Sequence, residues 1–208
     1  MLASFLARLS PCQLKSLNQF YNQRRAKLQS LLKGNRQSSE RICRLTRCRN
    51  QKVDDYLHQA SHYLVNLLVD QEITTLVIGK NDGWKQEVNL GKVNNQKFVT
   101  IPHARLIEMI SYKCQLVGIS VIIQEESYTS VANFLNLELL PVYGQITEKP
   151  VFSGKRISRG LYRTDKGILV QSDVMGSYNI LRKAFPNAFN RYGIERCVVH
   201  PRRINLSK

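Results

Sequence analysis

Asp173 stands where a short apolar strand hands over to a helix. Gly160-Leu161-Tyr162-Arg163 alternates as a strand should, and Thr164-Asp165-Lys166-Gly167 follows as a hairpin-type turn with Gly where a positive φ is needed. A second apolar run, Ile168 to Val170, leads through Gln171-Ser172 to Asp173. Behind it Val174, Tyr178, Ile180, Leu181 and Ala184 recur at helical spacing until Pro186 stops the run. A carboxylate at that junction has two uses. It can accept a backbone N–H as an N-cap, worth about 0.5–2 kcal/mol. It can also be one of a set of strand-end acids that converge on one sheet edge and hold a Mg²⁺ pair for in-line displacement at phosphate. The residues alone leave both open.

The elements that must position such an acid belong to a 208-residue chain with a net charge of +16 and 43% hydrophobic residues. That hydrophobic content suits a globular core, and the length allows one α/β domain plus a helical appendage. So large a positive charge points to a polyphosphate partner, nucleic acid before an anionic membrane, because no apolar run approaches a span. A small-molecule substrate is not expected. Met1 to Leu9 is apolar, but no basic stretch precedes it and a basic helix follows at once, so export is not expected and the chain is placed in the cytoplasm, associated with the nucleoid. Cys12, Cys43, Cys48, Cys114 and Cys197 form no CxxC pair, which suits idle thiols in a reducing compartment.

From Leu14 to Leu32 the residues Leu14, Leu17, Phe20, Tyr21, Leu28, Leu31 and Leu32 trace a helical stripe that Gly34-Asn35 ends. Ser38-Ser39-Glu40 offers capping chemistry for a longer helix, with a stripe through Ile42, Leu45, Val53, Tyr56, Leu57, Ala60, Leu64, Leu67 and Leu68. Arg24, Arg25, Lys27, Arg41, Arg44 and Arg47 belong to a cationic run here that only Glu40 opposes. Such a run is either a solvated face or a grip on phosphates, and in a chain this basic the second is favoured. Thr74 to Ile78 reads as a buried strand. Pro102 opens a helix whose apolar side is Ala104, Leu106, Ile107, Ile110, Leu116 and Val117, with Gly118 as its C′ residue, and Ile119 to Ile123 is the next buried strand. Strand, helix, strand at this spacing describes a parallel α/β unit. Val131 to Ser158 reads as a loop-rich excursion.

Several words occur in one order: IGKNDGWKQ (78–86), NNQKFVTIPHARLIEMISYKCQLVGI (94–119), EESYTS (125–130), FSGKRISRGLYRT (152–164), DVMGSYNILRK (173–183) and VVHP (198–201). Together they resemble the C-terminal half of the TnpB (OrfB) family, transposon-encoded RNA-guided DNA nucleases with a RuvC-like domain, and the likeness spans about Leu14 to Pro201. It implies an α/β, partial RNase H-like (RuvC-like) sheet lacking its first strands, with a basic helical hairpin. On that reading residues 1–13 are a lead-in, 14–72 the hairpin, 73–130 the strand–helix–strand core, 131–160 an insertion and 161–208 the final hairpin, Asp motif helix and tail. The implied partners are guide RNA and DNA, and the implied cofactor is Mg²⁺.

The same resemblance assigns residues. Asp173 matches the acid of the last helix. Where many relatives carry a Glu after the first of these strands, this chain has Gly79-Lys80-Asn81, and Glu125 and Glu126 close the next strand instead, as a relocated glutamate would. Side chains alternate along a strand, so one of the two should face the metal; parity with Val121 and Ile123 favours Glu125. The family's first Asp has no counterpart, which implies a truncated reading frame whose Mg²⁺-dependent phosphodiester hydrolysis is lost, with a non-catalytic nucleic-acid-binding module as the alternative. Many relatives have a four-cysteine zinc ribbon between the YTS word and the final Asp, but Val131 to Val151 contains no cysteine, so zinc is not expected. Lys155, Arg156, Arg159 and Arg163 are read as a nucleic-acid surface or a solvated hairpin. Trp84 is read as a packing anchor before a base stack, and His103 and His200 are not expected to bind metal.

Overall fold

A computed structural model of the chain describes residues 12–81, 102–142, 144, 150–158 and 160–189. They divide into two compact units, one of residues 12–71 and 102–113, the other of 72–81 and 114–189. Trp84, Arg159, His200 and the expected tail lie outside the described residues.

The first unit is helical. Helix α1 runs Cys12–Ser30 and α2 runs Glu40–Asp70. Ser39 caps α2 as the sequence suggests, its hydroxyl accepting from the Ile42 N–H at 3.4 Å. Ile42, Val53, Leu57, Ala60, Leu64 and Leu68 are buried, so the stripe read along α2 is its packed face. The stripe of α1 is narrower than expected: Leu14 and Tyr21 are buried, but Phe20 is 55% exposed and Leu31 68%. The reason is polar. Asn18 is buried instead, accepting from Arg49 Nε at 2.9 Å, and the Tyr21 hydroxyl meets Thr46 Oγ1 at 3.0 Å, so hydrogen bonds close part of the α1–α2 seam. A third helix, α3 (His103–Leu116), adds Met109 to the cluster of Leu14, Val53 and Leu57. Arg105 pairs with Asp54 at 2.9 Å, and Lys113 Nζ donates to the His58 carbonyl and Ser61 Oγ at 2.9 and 2.7 Å.

The C-terminus of α3 is a Schellman motif: Ile119 N–H donates to Cys114 O at 2.9 Å, Gly118 N–H to Gln115 O at 3.2 Å, and Gly118 has φ +76°. That turn leaves Leu116 80% exposed, so Leu116 and Val117 are not part of the buried side assigned to them.

In the second unit β1 (Thr75–Gly79) and β2 (Ser120–Gln124) pair in parallel, Thr75 opposite Ser120 and Gly79 opposite Gln124. This is the expected parallel pair. β2 is less buried than its run of apolar residues suggests, since Ile123 is 47% exposed while Leu76, Val77 and Ile78 of β1 are covered. Strands β3 (Lys155–Ser158), β4 (Leu161–Arg163) and β5 (Leu169–Gln171) form a separate antiparallel sheet in that order. The β4–β5 turn is where the sequence places it, with Gly167 at φ +79°.

Helix α4, Ser172–Ala184, touches both sheets. Val174 to Asn179 are all buried, so the first half of this helix is packed around most of its circumference. Phe134, Tyr162, Val170, Val174, Met175 and Tyr178 form the core, with Phe134 and Tyr178 stacked at 4.7 Å between centroids. The excursion after β2 is ordered by polar contacts as well as by its 3₁₀ turn, Phe134–Asn136. Glu138 accepts from the Asn133 N–H at 2.5 Å and the Ser153 N–H at 2.7 Å, joining two points of the loop far apart in sequence. The Tyr162 hydroxyl donates to Val131 O at 2.9 Å, and Asn179 Nδ2 donates to the carbonyls of Thr129 and Ala132, both at 2.8 Å.

Asn179→Ala therefore strands two carbonyls in the interior. The expected cost is about 2–3 kcal/mol, read as a lower urea midpoint with an unchanged m-value. A cost under about 0.5 kcal/mol would show that the loop is not held from this point.

Candidate acid site and basic surfaces

Gln171, not Asp173, caps α4. Its Oε1 accepts from the N–H groups of Asp173 and Val174 at 2.8 and 3.0 Å, and its Nε2 donates to Asp173 Oδ2 at 2.8 Å. The capping role weighed for Asp173 is thus taken by its neighbour. Asp173 lies in the first helical turn, exposed, with one carboxylate oxygen held by Gln171, and the helix dipole favours its charge there.

The two glutamates after β2 part company. Glu125 turns to Lys183, Oε2 to Nζ at 2.5 Å, with the lysine side chain only 6% exposed and the glutamate 33%. Lys183 also donates to the carbonyls of Ser127 and Pro141, at 2.9 and 3.2 Å, and Glu125 Oε1 accepts from the Ser127 N–H at 2.6 Å. Burial pushes the Glu125 carboxyl up, but the bonds to Lys183 and Ser127 and the lysine's charge outweigh it and hold the group below the usual carboxylate range.

Glu126 goes the other way. Its N–H donates to Asn81 Oδ1 at 3.3 Å, and its carboxylate lies over the last residue of β1. A Cβ on Gly79 would come within 2.8 Å of Glu126 Oε2 and 2.5 Å of Ile180 Cδ1. The Glu126 carboxylate thus occupies the space that a side chain at position 79 would enter. Burial, and then the charge of Glu125, raise its carboxyl above the usual range. Ile180 is seven residues from Asp173, so the two lie on one face of α4 about 10 Å apart along its axis. Lys183, ten residues on, is rotated roughly 80° away. The structure accordingly brings Glu126 to the Asp173 face of the helix and gives Glu125 a different partner. Strand parity did not carry to this point because β2 ends at Gln124 and the chain then turns.

Among the described residues no group of three or more Asp, Glu, His or Cys side chains is close enough to share a metal ion. Asp173 and Glu126, two helical turns apart, do not by themselves fit a two-metal centre, whose ions lie about 3.5–4 Å apart between shared acids.

Of the cations, Arg24, Arg25, Lys27, Arg41, Arg44 and Arg47 are all exposed on the helical unit. Arg44 meets Glu40 at 3.5 Å, a solvent-exposed pair worth little. Arg25 and Arg47 line a groove of about 690 Å³ with Tyr21, Gln37, Thr46 and Asn50. In the second unit Lys155, Arg156 and Arg163 are exposed on β3 and β4. Lys183, Gln171 and Asn179 carry the local architecture and were not singled out from sequence; Asn179 and Lys183 belong to the word 173–183, where they read only as polar helix residues, and Gln171 read only as the end of the strand before it.

The parallel strand pair and the helix that carries Asp173 in its first turn belong to an α/β fold that comparison finds in a solved structure. The chain has the fold of Cas12f1 in the cryo-EM structure of a Cas12f1–sgRNA–target DNA complex, with a TM-score of 0.55 and 14% identity, over 82% of this chain and 42% of that one. The match therefore spans less than half of that protein's length. Residues 7–85 match the family model OrfB_IS605, described as "probable transposase". The likeness to the TnpB (OrfB) transposase family thus rests on a family match through the helical hairpin and β1, and on the fold beyond it. No curated protein matches. Among the described residues no helix is long and apolar enough to cross a membrane.

Two outcomes follow from the crowding at Gly79. Gly79→Ala is expected to cost about 1–3 kcal/mol by overpacking, and Ile180→Val in the same chain to recover part of it; equal stability of Gly79→Ala and wild type would show open space there. The raised Glu126 carboxyl adds stability that is complete below its unfolded value near 4.3 and is lost as pH rises through the higher folded value. Glu126→Gln should therefore gain on wild type between about pH 4 and pH 7 in urea denaturation, and a difference that does not change with pH would contradict the placement.

Proposed function

We propose that this chain is a TnpB-type nucleic-acid-binding protein that holds guide RNA and DNA through the basic face of its helical hairpin, and that Glu126 and Asp173 are two members of the family's metal-binding acid set. The observation that carries the reading is the position of Glu126 over Gly79, on the same face of α4 as Asp173. That position supports Glu126, rather than Glu125, as the relocated glutamate that the resemblance implies. Glu125 is a structural partner of Lys183 in this account, not a ligand.

In the resembled family Mg²⁺ activates water and stabilises the leaving oxygen of a phosphodiester. Among the described residues Glu126 and Asp173 fall short of the coordination two ions require, and the resemblance supplies no first Asp, which supports a chain that binds without cutting. Gln171 fixes the Asp173 carboxylate, Glu126 is shielded against Ile180, and the hairpin's arginines and lysines contact backbone phosphates without reading sequence.

The test uses the purified full chain with a guide RNA and labelled target DNA. Binding should weaken with salt, and Arg25→Gln with Arg47→Gln should make the logarithmic salt dependence shallower by about 1.8, or 0.9 per lost phosphate contact. Asp173→Ala and EDTA should leave affinity within about twofold of wild type. Mg²⁺-dependent cleavage that Asp173→Ala abolishes would overturn the loss of chemistry, and salt-independent or absent binding would overturn the nucleic-acid reading altogether.

A further inference from the structure

The outer face of the β3–β5 sheet carries a second feature. Lys155 and Arg163 are directly opposite one another across β3 and β4, and Arg163 is opposite Leu169 of β5. Directly opposed residues of antiparallel strands have Cβ atoms about 4.5–5.5 Å apart, and like charges so placed destabilise the pairing. Both side chains are exposed, and among the described residues neither is in an ion pair with a carboxylate. Two acids of the same unit are engaged elsewhere: Asp165 accepts from Asn133 Nδ2 at 2.9 Å, and Glu138 from the N–H groups of Asn133 and Ser153. Arg156 is opposite the buried Tyr162 and so belongs to the other face of the sheet.

The next row on the outer face, about 7 Å along the strands, is Ser158, Leu161 and Gln171. Gln171 is the residue whose amide holds the Asp173 carboxylate. A cation pair, two leucines at positions 161 and 169, and the Asp173 acid therefore follow one another across one surface.

We propose that Lys155 and Arg163 form a clamp for a backbone phosphate of a single nucleic-acid strand, laid across this face so that its path leads to Asp173. A phosphate between the two cations removes the repulsion that the strand register imposes. The face is three strands wide, about 10 Å; beyond the two cations and Gln171, whose amide is engaged at the start of α4, these rows hold only Ser158 and two leucines, so the face suits one extended strand held by backbone and apolar contact. The proposal rests on the reading of the chain as a nucleic-acid binder and adds the strand it grips, the place and the residues.

The experiment is fluorescence anisotropy of the full chain with a labelled oligothymidylate in EDTA, across a salt series, so that no metal-dependent step enters. Lys155→Gln with Arg163→Gln should make the logarithmic salt dependence shallower by about 1.4, or 0.7 per lost single-strand contact. The control Lys166→Gln, an exposed cation of the adjoining turn outside the clamp, should not change it, and the charge-conserving Lys155→Arg with Arg163→Lys should restore it. An unchanged slope in the first variant, or an equal loss in the control, overturns the clamp, as does a polyglutamate peptide that competes as well as unlabelled oligothymidylate. Failure here leaves the hairpin's binding of a guide RNA–DNA duplex standing. Loss of duplex binding with the oligothymidylate slope intact would instead remove the hairpin reading and keep the clamp.

Discussion

The second unit depends on the side-chain amide of Asn179. Its Nδ2 donates to the carbonyls of Thr129 and Ala132, and its Oδ1 accepts from Arg182 at 3.0 Å, so one buried polar residue of α4 satisfies the turn after β2 and a cation of the next helical turn at once. Arg182 continues to the Glu138 carbonyl at 2.8 Å, and Glu138 in turn holds the Asn133 and Ser153 N–H groups. Among the described residues the two sheets share no strand pairing, yet both touch α4. Since a buried polar group without a partner costs more than a hydrogen bond gains, this network confines the excursion after β2 to one arrangement.

That constraint decides the electrostatics of the acids. Lys183 is buried and must have a counter-charge, and Glu125 is the carboxylate within its reach. Once Glu125 is engaged, Glu126 emerges from the turn on the opposite side, toward β1, where the missing side chain of Gly79 leaves room. Two adjacent acids of the same type thereby acquire opposite behaviour: one is held charged, the other is pressed toward neutrality. A site of this sort is asymmetric before any ligand enters it.

Much of the architecture is legible in the residues. The Ser39 cap, the Gly118 stop, the Gly167 turn and the stripe of α2 are local, set by capping geometry, positive φ and helical periodicity over a few residues, and all occur where the sequence puts them. The likeness of the chain to a transposase family is likewise legible, through several words in a fixed order, and a family model described as a probable transposase matches residues 7–85. Less legible is which apolar residues are covered. Phe20 and Leu31 fit the α1 stripe but lie outside, since Asn18 and Tyr21 close that seam through polar partners, and Leu116 fits the stripe of α3 but lies past the last packed turn.

The sequence by itself determined the elements, the acidic and basic residues available to a site, and their proximity along the chain, because caps, turns and periodicity act over one or two helical turns. Only the tertiary structure decided which carboxylate shares a face with Asp173, which residue caps α4, and which cations of the β3–β5 hairpin lie together. Those choices rest on Lys183 meeting a carboxylate 58 positions away, and on strand register. Neither leaves a mark in local composition, since burial and pairing energies depend on neighbours that the chain brings together only when folded.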